Sequence, residues 1–158
     1  MTGEVRVELF GLEGWPSLAE VEPAIRRGVR LALEAAEAPM RGEISLAFVD
    51  LDGMAELNRR WLRREGPTDV IAFDLGERDP DGGRELVGDV YVCPDVAMRA
   101  SEEPGGPEAT EELVRLAIHG VLHVLGHEHP EDETRWTCPM YRLQESLLVR
   151  ALESAETA

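Results

Sequence analysis

The sequence predicts an α+β fold, in which a small mixed sheet of four strands packs with helices around a central buried helix that carries histidines. Short apolar stretches of strand length alternate along the chain with longer stretches whose apolar residues recur at helical spacing. The stretch that follows Arg115 is apolar almost all round, which is typical of a helix buried on every side. Because 158 residues suffice for one domain with a sizeable core, we expect a single domain over residues 1–158.

The first half of the chain contains two predicted strands and two predicted helices. The strands cover residues 4–10 and 44–49, and the helices cover residues 17–37 and 52–64. Pro16 marks the entry to the first helix, since proline is favoured at the start of helices and disfavoured inside them. Asp52 is predicted to begin the second helix.

The second half contains two further strands and three helices. The strands cover residues 68–73 and 87–93, with an acidic glycine-containing loop over 76–83, and the helices cover 94–101, 107–125 and 131–153, with a loop over 102–106. Gly126 is predicted to follow the end of the histidine-bearing helix, because glycine is the preferred residue just after a helix. Pro130 biases His129 toward an extended backbone, so the chain leaves the helix and folds back there.

Composition indicates a protein of the cytoplasm. No apolar run approaches the roughly 20 residues that span a bilayer, and the first residues do not resemble a secretion signal. The two cysteines, Cys93 and Cys138, lie far apart in sequence, and we expect both to be buried, reduced thiols, with Cys138 as a minor alternative metal ligand.

All four histidines lie between residues 119 and 129, and this cluster is the main functional signal. His119 and His123 are four residues apart, so on a helix they lie on one face and can bind one metal ion. Two imidazoles on a buried apolar face need partners, and a shared cation provides one. After Gly126 the chain offers three candidates for a third ligand, which are His127, Glu128 and His129.

Three neutral nitrogen ligands with an open fourth position are typical of a catalytic zinc site. We therefore predict one Zn²⁺ ion, although imidazoles also suit nickel, copper and iron. Neutral ligands leave the +2 charge of the metal ion uncompensated. This charge lowers the pKa of bound water and favours an anionic substrate such as a phosphodiester.

The spacing His-x3-His-x2-Gly-x2-His resembles the ligand skeleton of the metzincin proteases, so the fold expectation is zincin-like. This resemblance implies that His129 is the third ligand. Metzincins place a glutamate directly after the first histidine as general base, and here that position is Gly120. The alternative of a zinc metallopeptidase would therefore need a different base.

The stretch from His119 to His129 more closely resembles the bacterial YbeY family, whose signature is His-Gly-x-Leu-His-Leu-x-Gly-Tyr-Asp-His. Upstream blocks are similar as well, namely Leu57-Asn58, the run from Pro67 to Phe73, and the run from Gly88 to Cys93. The chain departs from the signature at Val124, His127 and Glu128. A family arginine four residues after Asn58 corresponds to Leu62 here, with Arg63 adjacent to it.

This resemblance implies a single-strand-specific, metal-dependent endoribonuclease that acts in rRNA maturation and ribosome biogenesis. The implied partners are rRNA precursors and the ribosome, and the implied ligands are His119, His123 and His129. Arg63 is the predicted arginine that stabilises charge on the phosphate. Glu128 or Asp69 is the predicted base or the hydrogen-bond partner of a ligand. Thr68 and Asp69 also have a good structural interpretation, because Pro-Thr-Asp is typical of the entry from a loop into a strand, and Asn58 can likewise fix a turn.

A formal net charge of −16 opposes binding of a polyanion, so an RNA site needs local positive charge. The sixteen basic residues are all arginine, and four of them fall together at Arg59, Arg60, Arg63 and Arg64. Arginine suits bidentate contact with phosphate, so Arg59 and Arg60 are predicted to bind substrate. If this segment is helical throughout, the four form a basic stripe, and the alternative is an exposed helix whose arginines pair with acids.

A non-enzymatic alternative is a ribosome-assembly factor whose metal is structural. In that case a protein group such as His127 or Cys138 would close the fourth coordination position.

Overall fold

The computed structural model describes residues 5–36, 40–76, 84–99, 102 and 106–156. The predicted ends of elements at residues 4, 37 and 100–101, and most of the two predicted loops at 77–83 and 103–105, lie outside the described residues.

Four strands form one mixed sheet in the order β1-β2-β4-β3, which confirms the predicted α+β class. They are β1 Val5–Phe10, β2 Met40–Phe48, β3 Val70–Asp74 and β4 Arg84–Val92. The first two pairings, β1 with β2 and β2 with β4, are parallel, and β3 pairs antiparallel with β4 at the edge. Strands β2 and β4 start three or four residues before the predicted bounds, because their register continues from Phe48 opposite Val92 back to Met40 opposite Arg84.

The described residues also form five α-helices. They are α1 Glu22–Glu34, α2 Leu51–Leu57, α3 Pro94–Met98, α4 Pro107–Val124 and α5 Pro139–Glu156. Helices α1 and α5 begin later than predicted, since the 3₁₀ segments Pro16–Val21 and Glu133–Thr137 precede them. Pro23 and Pro139 explain both shifts, because a proline lacks the N–H needed inside a continuous helix but is accommodated in its first turn.

The predicted helix over residues 52–64 is wrong at both ends. It begins at Leu51 with Asp50 as its N-cap, since the Asp50 carboxylate accepts a hydrogen bond from the Gly53 N–H at 2.8 Å. It ends in the π-helical turn Asn58–Leu62, after which Arg63 adopts a left-handed backbone with φ of 55°. The predicted basic stripe of four arginines therefore does not form, because Arg63 and Arg64 lie beyond the helix.

Helix α4 lies at the centre of the molecule, as predicted, in contact with β3, β4, α1, α3 and α5. Its second half is buried except at the histidines, which are half-buried. Gly120 packs closely on the sheet, since a Cβ there would lie 2.4 Å from Cγ1 of Val90 and 3.1 Å from Cγ2 of Val70. The sheet thus restricts the rotation of α4 about its axis, and His119 and His123 lie in a cleft that β3 also lines.

Among the described residues, no helix combines the length and the apolar character that crossing a membrane requires.

Candidate metal centre

The end of α4 places the candidate ligands. Leu125 is the C-cap, and Gly126 follows it with φ of 101°, a conformation that glycine adopts without strain. The Gly126 N–H donates to the His123 carbonyl and the His127 N–H donates to the Leu122 carbonyl, both at 3.0 Å, which is the Schellman pattern. The turn reverses the chain, so His129 comes back beside the helix as the sequence predicted.

The side chains of His119, His123 and His129 converge. Each offers a ring nitrogen, and these three atoms lie within 4.8 Å of one another, an arrangement that could hold a metal ion. The ring centroids are separated by 4.5 Å between His119 and His123, 5.2 Å between His119 and His129, and 5.1 Å between His123 and His129. Within the described parts of the chain, this is the one cluster of histidine, cysteine or acidic groups with such spacing.

Hydrogen bonds fix the tautomer of each imidazole. The Nδ1 of His123 lies 3.0 Å from the His127 carbonyl oxygen, and the Nδ1 of His129 lies 2.9 Å from the Pro130 carbonyl oxygen. A carbonyl oxygen only accepts, so both Nδ1 atoms carry the proton and both Nε2 atoms present a lone pair. The residue His127 therefore contributes its backbone to the centre, while its imidazole is not among the three converging rings.

A chain of hydrogen bonds sets the tautomer of His119. Arg115 donates to both carboxylate oxygens of Glu145, at 2.9 and 3.0 Å, and Gln144 Nε2 donates to Glu145 Oε2 at 3.1 Å. This leaves Gln144 Oε1 as the acceptor, at 2.7 Å from Nδ1 of His119. The proton of His119 is consequently on Nδ1, and its Nε2 carries a lone pair.

The ionised state of Glu145 fixes the direction of donation along these hydrogen bonds. Burial by itself raises the pKa of Glu145, but the hydrogen bonds from Arg115 and Gln144 outweigh it and hold the pKa below its usual value. The hydrogen bonds that Arg115 donates to Glu145, and then to Glu112, raise the pKa of Arg115. A charged carboxylate can only accept, so the amide of Gln144 has one satisfactory orientation.

The environment disfavours protonated histidines. Burial, and then the positive charge that His119 would carry, lower the pKa of His123 to about 4. Burial also lowers the pKa of His119, although the bond to Gln144 opposes the effect. Both side chains are neutral near pH 7, which is the state that ligates metals.

These features fit a divalent transition-metal ion. The Nε2 atoms of His119 and His123 face each other at 3.0 Å, and with both protons committed to Nδ1 there is no hydrogen between them. Two lone pairs at that distance repel, and a cation bound by both relieves the repulsion. Among the described residues, the thiol of Cys138 is not in the cluster and donates instead to the Arg135 carbonyl, with Sγ 3.1 Å from the oxygen.

The three histidines line an open cleft of about 580 Å³. Its other lining residues lie on β3 and the turn before it, on α4, on the segment leading into α5 and on α5 itself; they are Arg64, Thr68, Asp69, Val70, Ala72, Glu112, Arg115, Leu116, Glu131, Arg135, Trp136, Met140, Tyr141 and Gln144. The cleft gives the metal position access to a substrate from solvent, which a closed structural site does not need.

The comparison with known proteins decides the family. The family model described as Endoribonuclease YbeY matches residues 16–151. The chain belongs to the YbeY family. Curated relatives named Endoribonuclease YbeY include one from Salinispora tropica, which is 39% identical over 135 residues, covering 79% of this chain and 84% of the relative. Another, from Thermobifida fusca, is 39% identical over 144 residues, covering 85% of this chain and 90% of the relative.

A solved structure shares the YbeY fold of this chain. It is the solution structure of TM1509 from Thermotoga maritima, with a TM-score of 0.57 and 24% sequence identity, and the match covers 98% of this chain and 93% of that one.

The predicted RNA-contacting arginines of this YbeY chain are placed differently from one another. Arg59 pairs with Glu56, with Nη2 and Oε2 at 2.6 Å, and the Arg60 guanidinium lies 5.9 Å from the centre of the Trp61 ring. Arg63 occupies the left-handed turn position, and Arg64, which follows it, lines the cleft. Asn58 stabilises this turn in two ways. Its side-chain Nδ2 donates to the Gly66 carbonyl at 2.9 Å, and its backbone carbonyl accepts from the Arg64 N–H at 3.2 Å.

The predicted carboxylates also differ in position. Asp69 lines the cleft, and its negative charge acts to raise the pKa of His119. Glu128 is exposed and is not a lining residue, although it precedes the ligand candidate His129. The catalytic roles of Glu128 and Arg63 stay predictions.

Gln144 and Trp136 were missed as functional candidates. Gln144 lies on the apolar face of α5, four residues after Met140 and seven before Ala151, and all three are buried. A polar residue on such a face needs a buried hydrogen-bond partner. The helical spacing of Gln144 from Met140 and Ala151 could therefore have marked it as a candidate. Trp136 had no comparable signal, since the sequence does not reveal that the segment before α5 faces the histidines.

Proposed function

We propose that this protein is a metal-dependent hydrolase, a single-strand-specific endoribonuclease that acts in rRNA processing and ribosome biogenesis in the cytoplasm. One Zn²⁺ ion, held by His119, His123 and His129, is its proposed cofactor, with nickel as the next choice. Residues 1–158 form a single hydrolase domain in this proposal. Membership of the YbeY family supports the reaction class.

The convergence of one ring nitrogen from each of three histidines in an open cleft is the observation that carries the proposal. When bound there, a divalent cation supplies Lewis-acid polarisation of a phosphoryl oxygen and a lowered pKa for water. Neutral imidazoles do not offset its charge, so the centre favours an anionic substrate. A phosphodiester fits that requirement.

The protein's own groups hold the reacting parts in place. Gln144 Oε1 and the carbonyls of His127 and Pro130 fix the three imidazoles, which keeps their Nε2 atoms aimed at one point. Arg64 is placed to contact a phosphate in the cleft, and its neighbour Arg63 is the arginine that the family resemblance points to.

Two further arginines precede the cleft-lining Arg64 in the chain. Arg59 and Arg60, on the preceding turn, are proposed to contact phosphates further from the cleaved bond. The pairing of Arg59 with Glu56 reduces its free charge, so Arg60 makes the stronger contribution in this proposal.

A carboxylate is proposed to take the proton from the attacking water. Asp69 is placed first because it lines the cleft beside His119, and Glu128 is the second candidate. Substituting each carboxylate in turn distinguishes the two candidate bases.

A metallopeptidase is disfavoured by the packing of α4. The position that carries the zincin glutamate is Gly120, where a Cβ would lie 2.4 Å from Val90 Cγ1. A side chain there points into the sheet, so it cannot reach a water molecule at the histidines. A purely structural metal is disfavoured by the position of Cys138, whose thiol donates to the Arg135 carbonyl.

The experiment compares the purified wild type with His123→Ala and with the matched variant His127→Ala. The control removes an imidazole outside the cluster and preserves the backbone carbonyl that holds His123. Metal content is measured by elemental analysis, and cleavage is measured on single-stranded RNA, duplex RNA and an unstructured protein.

We expect about one metal ion per chain and cleavage of single-stranded RNA alone in the wild type and in His127→Ala. Both should be lost in His123→Ala. Stoichiometric metal without RNA cleavage would overturn the ribonuclease, and cleavage of the protein substrate would favour the peptidase.

A further inference from the structure

Trp136 is an exposed aromatic residue inside the cleft of the metal centre. Its side chain lines the same cleft as the three histidines, and 54% of the residue is accessible to solvent. An exposed aromatic ring that lines a cleft offers a surface on which a nucleobase can stack. The other strongly exposed tryptophan, Trp61, is 60% accessible and is not a lining residue of the cleft.

Two neighbours hold the Trp136 ring. The guanidinium carbon of Arg135 lies 4.6 Å from the centre of the ring, and the ring of Tyr141 meets it edge to face, with centroids 5.4 Å apart and planes at 85°. Both neighbours also line the cleft. The indole is thus fixed before any ligand arrives, which reduces the entropy that binding would cost.

The backbone beneath the ring is anchored at both ends. At the start of the 3₁₀ segment Glu133–Thr137, the Asp132 carboxylate accepts a hydrogen bond from the Thr134 N–H at 2.9 Å. Beyond its end, the buried Cys138 donates to the Arg135 carbonyl. The short segment therefore presents Trp136 from a defined position.

The charge of Arg135 is available to a ligand. Within the described part of the chain, its guanidinium contacts the indole and forms no ion pair with a carboxylate. Arg115, which lines the same cleft, is engaged by Glu111, Glu112 and Glu145. Arg135 therefore places a guanidinium without a direct carboxylate partner next to an exposed aromatic surface.

We propose that Trp136, held by Arg135 and Tyr141, is a stacking subsite for one unpaired nucleobase, with Arg135 contacting the adjoining phosphate. Stacking on an aromatic ring accepts every base, and arginine strengthens it. Bases in a duplex are already stacked and paired, so the subsite selects single strands. This proposal rests on the proposed ribonuclease function for its biological role, but its binding chemistry is testable separately.

The first test measures binding of two small probes to the purified wild-type protein by ligand-observed NMR. Adenosine 5′-monophosphate carries a base and a phosphate, and ribose 5-phosphate carries the same sugar and phosphate without the base. The variants are Trp136→Ala, Trp136→Phe and the matched control Trp61→Ala.

We expect the wild type and Trp61→Ala to prefer the nucleotide over the sugar phosphate by about 5- to 100-fold, the range of one base stacked on an aromatic ring. Trp136→Ala should abolish the preference, and Trp136→Phe should restore most of it. Equal binding of both probes to the wild type, or an undiminished preference in Trp136→Ala, would overturn the subsite.

The second test measures KM and kcat on a single-stranded RNA and on the same strand with one abasic nucleotide next to the cleaved bond. Trp136→Ala should raise KM by about 5- to 100-fold on the intact strand and leave KM on the abasic strand unchanged. An equal effect on both strands would show that Trp136 acts through the fold. Nucleotide preference without any RNA cleavage would overturn the proposed function while leaving the subsite intact.

Discussion

The Oε1 atom of Gln144 lies 2.7 Å from Nδ1 of His119, and this contact ties helix α5 to helix α4 at the metal centre. Gln144 is itself oriented by Glu145, whose two oxygens are held by Arg115. The ion-paired carboxylate of Glu145, acting through Gln144, therefore determines which nitrogen of His119 faces the cleft. The centre is preorganised by a buried polar network rather than by the ligands alone.

Replacing Gln144 with leucine should weaken metal binding by about 10- to 100-fold, because Nδ1 of His119 loses the acceptor that fixes its tautomer. Affinity is measured by competition with a chromogenic chelator. Val149→Ala is the matched control, since Val149 lies on the exposed side of the same helix. Equal affinities for the wild type and Gln144→Leu would show that the hydrogen bond does not contribute.

Arg64→Ala should lower kcat/KM on single-stranded RNA by about 10- to 100-fold, because a charged donor in the cleft is removed. The dependence of binding on salt should also flatten by about one phosphate contact. Arg63→Ala is compared in parallel, with Arg142→Ala as an exposed control on α5. A larger loss in Arg63→Ala than in Arg64→Ala would identify Arg63 as the functional arginine instead.

Asp69→Asn should reduce kcat by about 100-fold if this carboxylate takes the proton, since general-base catalysis contributes roughly that much or more. Glu128→Gln should cost less, because Glu128 is exposed and does not line the cleft. Steady-state rates with metal content measured on each sample make the comparison. The reverse order of effects would assign the base to Glu128.

Gly120→Ala should lower the free energy of unfolding by about 1–2 kcal/mol. Alanine normally stabilises a helix interior relative to glycine, but here its methyl group would lie 2.4 Å from Val90 Cγ1. Gly14→Ala is the control, because a Cβ at Gly14 has no atom within 4 Å. Urea unfolding of both variants measures the change in the free energy of unfolding. A stabilised Gly120→Ala would contradict close packing of α4 on the sheet.

The metal-free protein should lose stability as the pH falls from about 7 toward 4. The pKa of His123 is about 4 in the folded protein, below its usual value of 6.5, so the unfolded chain takes up a proton first. The contribution of neutral His123 to the free energy of unfolding is complete above about pH 7 and is lost as the pH falls to about 4. Denaturation of chelator-treated wild type and His123→Asn at several pH values tests this, and parallel pH profiles would contradict it.

The clustering of the three histidines was predictable from the sequence because the information behind it is local. The four-residue spacing of His119 and His123, the glycine at 126 and the apolar surround of α4 each act within one or two helical turns. The mixed four-stranded sheet was also predictable from the alternation of elements, although strand bounds moved by up to four residues. Pairing with a neighbouring strand, rather than local composition, decides where β2 and β4 begin.

Other features were not readable from neighbours in sequence. Prolines inside the predicted helices restart α1 and α5, and the π-helical turn that contains Arg59 and Arg60 ends before Arg63 and Arg64. That turn depends on Asn58, which is bound to Gly66 across the following loop. A local pattern of arginines therefore predicted the basic composition of the segment but not which arginine lines the cleft.

By itself, the sequence determined the family, the α+β class and the three histidines that are candidate ligands, since these follow from motifs and periodicities confined to short segments. Only the tertiary structure decided that Gln144 fixes His119, that Arg64 lines the cleft, and that Trp136 faces the metal centre. Those relationships join α4 to α5 and to the turn before β3. They depend on how separate elements pack, and no single segment of sequence contains that information.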